Sequence, residues 1–191
     1  MKNVVKRCEW TSNNHLLKDY HDKEWGIPLH DDNKLFEFLV LDTFQAGLSW
    51  LIVLSKRNNF RKAMNNFDFK KIAKYDNKEI KRLVLDQSII RNRLKIEATI
   101  DNAKKFIEVQ KEFGTFDRYI WKFTNFKTIN HKFKYLSQLP SKTKESDEMS
   151  TDLKKRGFKF VGSTTCYAFM QAIGMVNDHT IKCFIQNNSK N

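Results

Sequence analysis

Helix breakers are scarce in this chain: two prolines and six glycines stand among 191 residues. Proline removes a backbone donor and clashes with the preceding turn, and glycine costs backbone entropy, so a chain poor in both is free to form long helices. In residues 31–44, DDNKLFEFLVLDTF, the positions Leu35, Phe36, Phe38 and Leu39 fall near a helical period, with Asp31 or Asp32 placed to cap the start. Residues 49–64 predict a second helix, opened by Ser49. Residues 76–86 begin with Asp76 followed by Glu79, a capping-box pattern with Asp in place of Ser or Thr. In 93–114, Ile96, Ile100, Ala103 and Phe106 make one stripe that stops at Gly114. Residues 146–157 predict another helix, and residues 163–174 a last one, apolar almost all round and therefore buried. No stretch alternates apolar and polar residues between hairpin turns. The expected class is all-α: one helical domain over residues 1–191, with room for two lobes. The polar stretch 125–146 predicts a long surface loop.

A hydrophobic fraction of 40% suffices for a globular core. No apolar run approaches the length of a membrane span, and the start, MKNVVKRCEW, is too short and polar for a secretory leader. A cytoplasmic protein is expected. The cysteines are Cys8, Cys166 and Cys183, an odd set that argues for metal ligation or burial over a disulfide framework. Lys and Arg number 35 against 22 Asp and Glu, a formal charge of +13 that attracts phosphate polyanions. Compositional drift in a chain rich in Lys, Asn, Ile and Phe would also load its surface with lysine.

Near the end, VNDHTIKCF sets His179 and Cys183 four apart, on one face if the stretch is a helical turn. Imidazole and thiolate both ligate zinc, but a closed structural site takes four ligands. Cys8 and His21 would complete a Cys2His2 set and fasten the first residues to the last, where termini otherwise fray. Residue type alone leaves His15, His30, His131 and Cys166 equally available.

Six stretches occur in order between residues 8 and 183: CEW, YHDKEWGIP, QAGLSWLIVL, IIRNRLKIEA, DLKKRGFKFVG and MVNDH…C. Together they resemble the 3-methyladenine DNA glycosylase I family of bacterial base excision repair, within the helix-hairpin-helix glycosylase superfamily. The resemblance implies that fold, with one structural Zn2+ on Cys8, His21, His179 and Cys183 joining the N- and C-terminal segments. Cys166 is left as a small core residue. It further implies a monomer, without an obligatory protein partner or membrane, acting on double-stranded DNA that contains alkylated bases. The implied reaction is hydrolysis of the N-glycosidic bond of 3-methyladenine by water, with no lysine Schiff base. Methylation at N3 makes the adenine cationic and already a good leaving group, so the protein must mainly select the base and hold it out of the duplex.

A cationic base suits an aromatic pocket. By resemblance Trp50 stacks on the flipped base, Trp10 helps close the pocket and Tyr20 bonds the base edge. Asp42 stands where members of the family carry a glutamate that bonds the adenine edge. Each of these aromatics is also at home in a core, and Trp25 is expected there. Leu17 occupies a place where some members have a second tyrosine, and Phe44 one where others have a small or polar residue; both make the pocket more apolar. The stretch DQSIIRNRLKIEA corresponds to the hairpin that offers backbone N–H groups to a phosphate, with Ser88 where glycine is usual and with Arg91, Arg93 and Lys95 nearby. Gln45 and Leu48 are expected to enter the duplex and fill the gap left by the base. Lys154, Lys155, Arg156 and Lys159 surround the Gly157 turn, and Ser163 to Thr165 open the next helix, a further phosphate contact. Two other readings stand beside this one. One is a non-catalytic protein that binds alkylation damage; the other is a zinc hydrolase whose metal keeps an open position.

Overall fold

Side-chain caps set most of the helix starts. The computed structural model describes residues 5–188. Helix α1 (His15–Lys23) opens at Asn14, whose side chain accepts from Leu16 N at 2.9 Å and Leu17 N at 3.3 Å. Asp31 caps α2 (Asp32–Gln45), Ser49 caps α3 (Trp50–Ala63) and Asp68 caps α4 (Phe69–Ile72). Asp76 caps α5 (Asn77–Leu85), Asn92 caps α6 (Arg93–Phe113), Thr115 caps α7 (Phe116–Trp121) and Thr143 caps α8 (Lys144–Lys155). These oxygens satisfy N–H groups that the first helical turn leaves without partners. By contrast α9 (Ser163–Ala172) starts at Gly162 with no side-chain cap, and α10 (Phe184–Asn188) follows it.

The helical expectation holds, with local differences. Helices α1, α4, α7 and α10 lie in segments where the sequence predicted none. At α5 Asp76 caps as expected, but Glu79 turns away to an ion pair with Arg82 at 2.6 Å, so the capping box is half formed. The stretch 125–146 is more than a loop. It contains β1 (Ile129–Asn130), which pairs in parallel with β2 (Val176–Asn177), and α8 begins within it at Lys144, ahead of the predicted Ser146. That ladder is two residues long, too short to show as alternation in the sequence.

The buried apolar residues form one cluster around α2, which is buried continuously from Leu35 to Phe44. Helices α3, α6, α7 and α9 pack against it. Phe106 of α6 stacks on Phe116 of α7 with centroids 4.0 Å apart. Gly174, at φ +73°, closes α9 against the backbone of Ile27, where a Cβ would lie 2.3 Å from the Ile27 carbonyl carbon. Asp32 does not cap its own helix. Its carboxylate accepts from Phe116 N at 2.9 Å, Asp117 N at 2.8 Å and Gln110 Nε2 at 2.6 Å, holding the start of α7 against α2. Replacing Asp32 with Ala is therefore expected to cost about 2–3 kcal/mol, read as a lower midpoint in denaturant unfolding with unchanged slope.

Candidate active site

Two clusters meet behind α1. In the first, Cys8, His21, His179 and Cys183 are all buried, and their ligand atoms lie within 4.8 Å of one another. The spacing would set His179 and Cys183 on one face if their stretch were a helical turn. They lie instead in a non-helical bend after β2, closed by Cys183 N donating to Thr180 O at 2.8 Å. The pair still converges, with Cys183 Sγ 3.5 Å from His179 Nδ1. The N-terminal segment is brought in by Phe184 N donating to Lys6 O at 2.8 Å.

The spacing of the ligand atoms tests whether a metal fits. Bonds of about 2.3 Å to sulfur and about 2.1 Å to nitrogen give a tetrahedron with edges of roughly 3.3–3.8 Å. Here Cys8 Sγ to His179 Nδ1 is 3.6 Å, Cys183 Sγ to His21 Nε2 is 3.4 Å and His179 Nδ1 to His21 Nε2 is 3.2 Å. The far ring nitrogens fix the tautomers. His21 Nδ1 donates to Asp22 at 2.7 Å, and His179 Nε2 donates to the Trp25 carbonyl at 3.0 Å. Both inward nitrogens therefore present lone pairs to one point, an arrangement that a cation resolves. Asp22 is itself gripped by Arg7 at 2.7 Å. The Cys183 thiol is pulled far below its usual value, first by its hydrogen bond with Cys8, against desolvation, and then by His179 and His21. Gly26 is required here: at φ +75°, a Cβ would come within 3.2 Å of the His179 ring. The donor set fits a metal held by four protein ligands, with no position left for a reacting water. The third cysteine, Cys166, is a buried core residue on α9 whose thiol is pushed up to about 12 by desolvation.

The second cluster is a cavity of about 190 Å³ against the same α1 turn, lined by Trp10, Tyr20, Trp25, Asp42, Gln45, Trp50, Leu139, Ala168 and Gln171. The Tyr20 and Trp50 rings have centroids 5.1 Å apart, and Trp10 meets Trp25 edge-on at 5.0 Å. Among the described residues, Trp10 Nε1, Trp50 Nε1 and Asp42 Oδ2 are buried without a hydrogen-bond partner. Leaving such atoms unpaired costs about 1–3 kcal/mol each, so a cluster of them beside one cavity marks a place for a polar ligand. Desolvation holds the Asp42 carboxyl well above its ordinary range. Tyr20 stays a neutral phenol, raised first by burial and then by Asp42. A neighbouring hollow of about 180 Å³ shares Asp42, Gln45 and Ala168 with the cavity and continues to Gly47, Leu48, Thr164 and Thr165. Leu48 is 39% exposed at its edge, on the loop between α2 and α3.

Several expected residues stand elsewhere. Phe44 is fully buried against Phe60, centroids 4.6 Å apart, because its side of α2 faces α3 and not the cavity. Leu17 is half-buried on α1 and absent from the cavity lining, where Tyr20, three residues on, takes the wall. Lys95 is buried, and its ammonium donates to the carbonyls of Phe44 at 2.8 Å and Ala46 at 2.5 Å. It ties the C-terminal end of α2 to α6, where a cation suits the helix dipole, and is not free for phosphate. Arg93 pairs with Glu97 at 2.8 Å, Lys159 with Asp101 at 2.6 Å and Arg156 with Glu112 at 2.6 Å. The Ser163 hydroxyl serves the exposed Asp147 carboxylate, which it lowers more than any other group does. Arg91, Lys154 and Lys155 are exposed, with no ion pair among the described residues. Ser88 carries no strain: its N–H and hydroxyl both donate to Asp86, at 2.9 and 2.6 Å, and its φ is not positive.

Leu139, Ala168 and Gln171 belong to the cavity and were not foreseen, and Trp25, expected in the core, is buried but also lines the cavity. Gln171 left a signal, as the one amide in the apolar run CYAFMQAI. Leu139 left none, because the fold of 125–146 over the pocket depends on the short ladder.

Residues 10–186 match the methyladenine glycosylase family. The DNA-3-methyladenine glycosylase 1 of Escherichia coli (strain K12) is 46% identical over 179 residues, 94% of this chain and 96% of that protein. The DNA-3-methyladenine glycosylase of Haemophilus influenzae is 46% identical over 180 residues, 94% and 97% of the two chains. Among solved structures, the 3-methyladenine DNA glycosylase I of Staphylococcus aureus, described for its recognition of 3-methyladenine, superposes with a TM-score of 0.91 at 30% identity, covering 95% of this chain and 97% of that one. A point variant of a 3-methyladenine DNA glycosylase I in complex with 3-methyladenine superposes with a TM-score of 0.90 at 30% identity, covering 93% and 96%. With the fold, the buried Cys2His2 cluster and these matches in agreement, the chain belongs to the methyladenine glycosylase family.

Proposed function

We propose that the protein is a DNA-3-methyladenine glycosylase that hydrolyses the N-glycosidic bond of the flipped, cationic base in duplex DNA. The observation that carries the reading is the aromatic cavity with a buried, unpartnered carboxyl, in a chain of this family. In the duplex the positive charge lies on the methylated adenine. As the C1′–N9 bond breaks, its electron pair moves to the base, which leaves as neutral 3-methyladenine while charge develops on the sugar. Water adds to C1′ and loses a proton, leaving an abasic site.

Trp50 stacks on the base in this reading and Tyr20 offers its hydroxyl to the base edge, with Trp10 closing the pocket beside them. The unpaired Asp42 carboxyl takes a hydrogen bond from the exocyclic amine. Leu48, an exposed leucine at the pocket edge, replaces the stacking that the flipped base gives up, with Gln45 beside it. Phosphate contacts fall to the backbone N–H groups of the hairpin between α5 and α6, to the uncapped N-terminus of α9, and to Arg91, Lys154 and Lys155. The metal is zinc, held by Cys8, His21, His179 and Cys183, and it supplies structure and no reacting group. Three free, buried cysteines fit a reducing cytoplasm, where the protein works as a monomeric glycosylase domain.

The reading is tested by incubating the protein with methylated duplex. The expected product is an abasic strand that breaks only after alkali treatment; an intact strand after alkali rejects the enzyme. Exchanging Arg91 or Lys154 for Glu is expected to weaken DNA binding and to flatten its log–log salt slope by about 1 for each phosphate that the side chain neutralised. Lys159→Glu, at a residue already paired with Asp101, is expected to change the slope less. Equal slopes for all three variants and the parent protein would remove Arg91 and Lys154 from the interface.

A further inference from the structure

Gln171 is a polar cavity residue to which nothing above gives a role. Its Nε2 donates to Asp178 Oδ2 at 2.7 Å. Asp178 is 1% exposed and is held in turn by the Tyr167 hydroxyl at 2.6 Å and by His131 Nδ1 at 2.6 Å. A carboxylate flanked in this way accepts hydrogen bonds, so the amide must turn its NH2 group to Asp178. The Gln171 carbonyl oxygen is thereby committed to the other side, and it has no partner among the described residues. The backbone is fixed as well, since Gly26 N donates to Gln171 O at 2.9 Å. Gln171 thus brings to the cavity an acceptor that cannot swap to a donor without breaking its partly buried hydrogen bond to Asp178.

An exocyclic amine carries two N–H donors, and among the acceptors of the residues lining the cavity are the Asp42 carboxyl and the Gln171 carbonyl. We infer that Gln171 is a specificity-determining residue whose side-chain carbonyl accepts from the amine at purine C6, and that it selects adenine over guanine. An oxo group at C6 would set its own oxygen against the Gln171 carbonyl oxygen. The network through Asp178, Tyr167 and His131 is the positioning device that keeps the amide from flipping to welcome that oxo group.

The inference rests on the proposed function, and its test uses free-base binding so that the two fail separately. Tryptophan fluorescence quenching gives the affinities of the full-length, metal-loaded protein for 3-methyladenine and 3-methylguanine. Gln171→Met keeps the size and removes the acceptor; it is expected to weaken 3-methyladenine binding about tenfold and to bring the adenine-to-guanine ratio toward one. Tyr167→Phe removes a different donor from Asp178 and leaves the pocket atoms in place, so it is expected to shift the ratio in the same direction but less. An unchanged ratio in folded, metal-loaded Gln171→Met overturns the inference. So does a Tyr167→Phe protein that reproduces the whole loss, because the effect would then belong to Asp178. Failure of the enzyme reading appears elsewhere, as absence of an abasic product from the parent protein.

Discussion

Stripping the metal with a strong chelator is expected to loosen both ends of the chain together, lowering the stability of the fold before it touches the chemistry. The four candidate ligands come from residues 8, 21, 179 and 183, so an ion held there would close a loop of nearly the whole sequence. Without it, two lone pairs and two sulfurs face one another in a buried space, His179 Nδ1 and His21 Nε2 being only 3.2 Å apart. Metal binding in such sites is folding free energy. Cys183→Ser is expected to cost about 3 kcal/mol or more, which in a chain of this length lowers Tm by roughly 6–12 °C. Calorimetry with and without chelator, together with metal content by mass spectrometry, reads both quantities. A metal-free protein with unchanged Tm and abolished base release would reverse the assignment and make the metal a participant in the reaction.

The second large effect is expected at Asp42, where stability and function pull apart. The carboxyl is 3% exposed, and its Oδ2 has no partner. Desolvation raises its pKa well above the ordinary 3.8. The folded protein therefore holds this proton more tightly than the unfolded chain does. As pH rises from the unfolded value toward the folded one, the unfolded state ionises first and stability falls; below the unfolded value the penalty is absent. Asp42→Asn removes that penalty. It is expected to stabilise the protein by roughly 1–2 kcal/mol at pH 8 and by little near pH 4, while base release falls about a hundredfold or more. Thermal unfolding at the two pH values, beside single-turnover release, checks both halves. A variant that is less stable at pH 8 would mean that the carboxylate has a partner in the empty pocket.

How much of this was legible in the sequence depended on whether a residue's role follows from its neighbours along the chain. The helix starts at Ser49 and Asp76, and the one at Asp31 or Asp32, could be placed because capping is local, and the long α6 because its stripe repeats over 21 residues. Helix α7 was missed because it has six residues and leans on Asp32, 84 residues away, to hold its first N–H groups; α1, as long as α5, was missed although Asn14 caps it locally. The metal ligands needed the family resemblance, since residue type alone left four other candidates. Phe44 and Lys95 were misplaced for one reason: the side of a helix that a residue faces is set by packing. Phe44 turns to Phe60, and Lys95 turns inward to the end of α2. The partly buried ion-pair network of Glu24, Glu37, Arg57 and Arg61, which ties α3 to α2, had no local trace because its members come from three separate stretches of the chain.

The most direct test of the account is free base release from methylated duplex DNA, resolved by chromatography, with untreated DNA as control. The account predicts release of 3-methyladenine from the methylated DNA only, at a rate that falls with Asp42→Asn. Folded, metal-loaded protein that binds the same DNA and frees no methylated base would contradict it, and would leave a damage-binding protein in place of an enzyme.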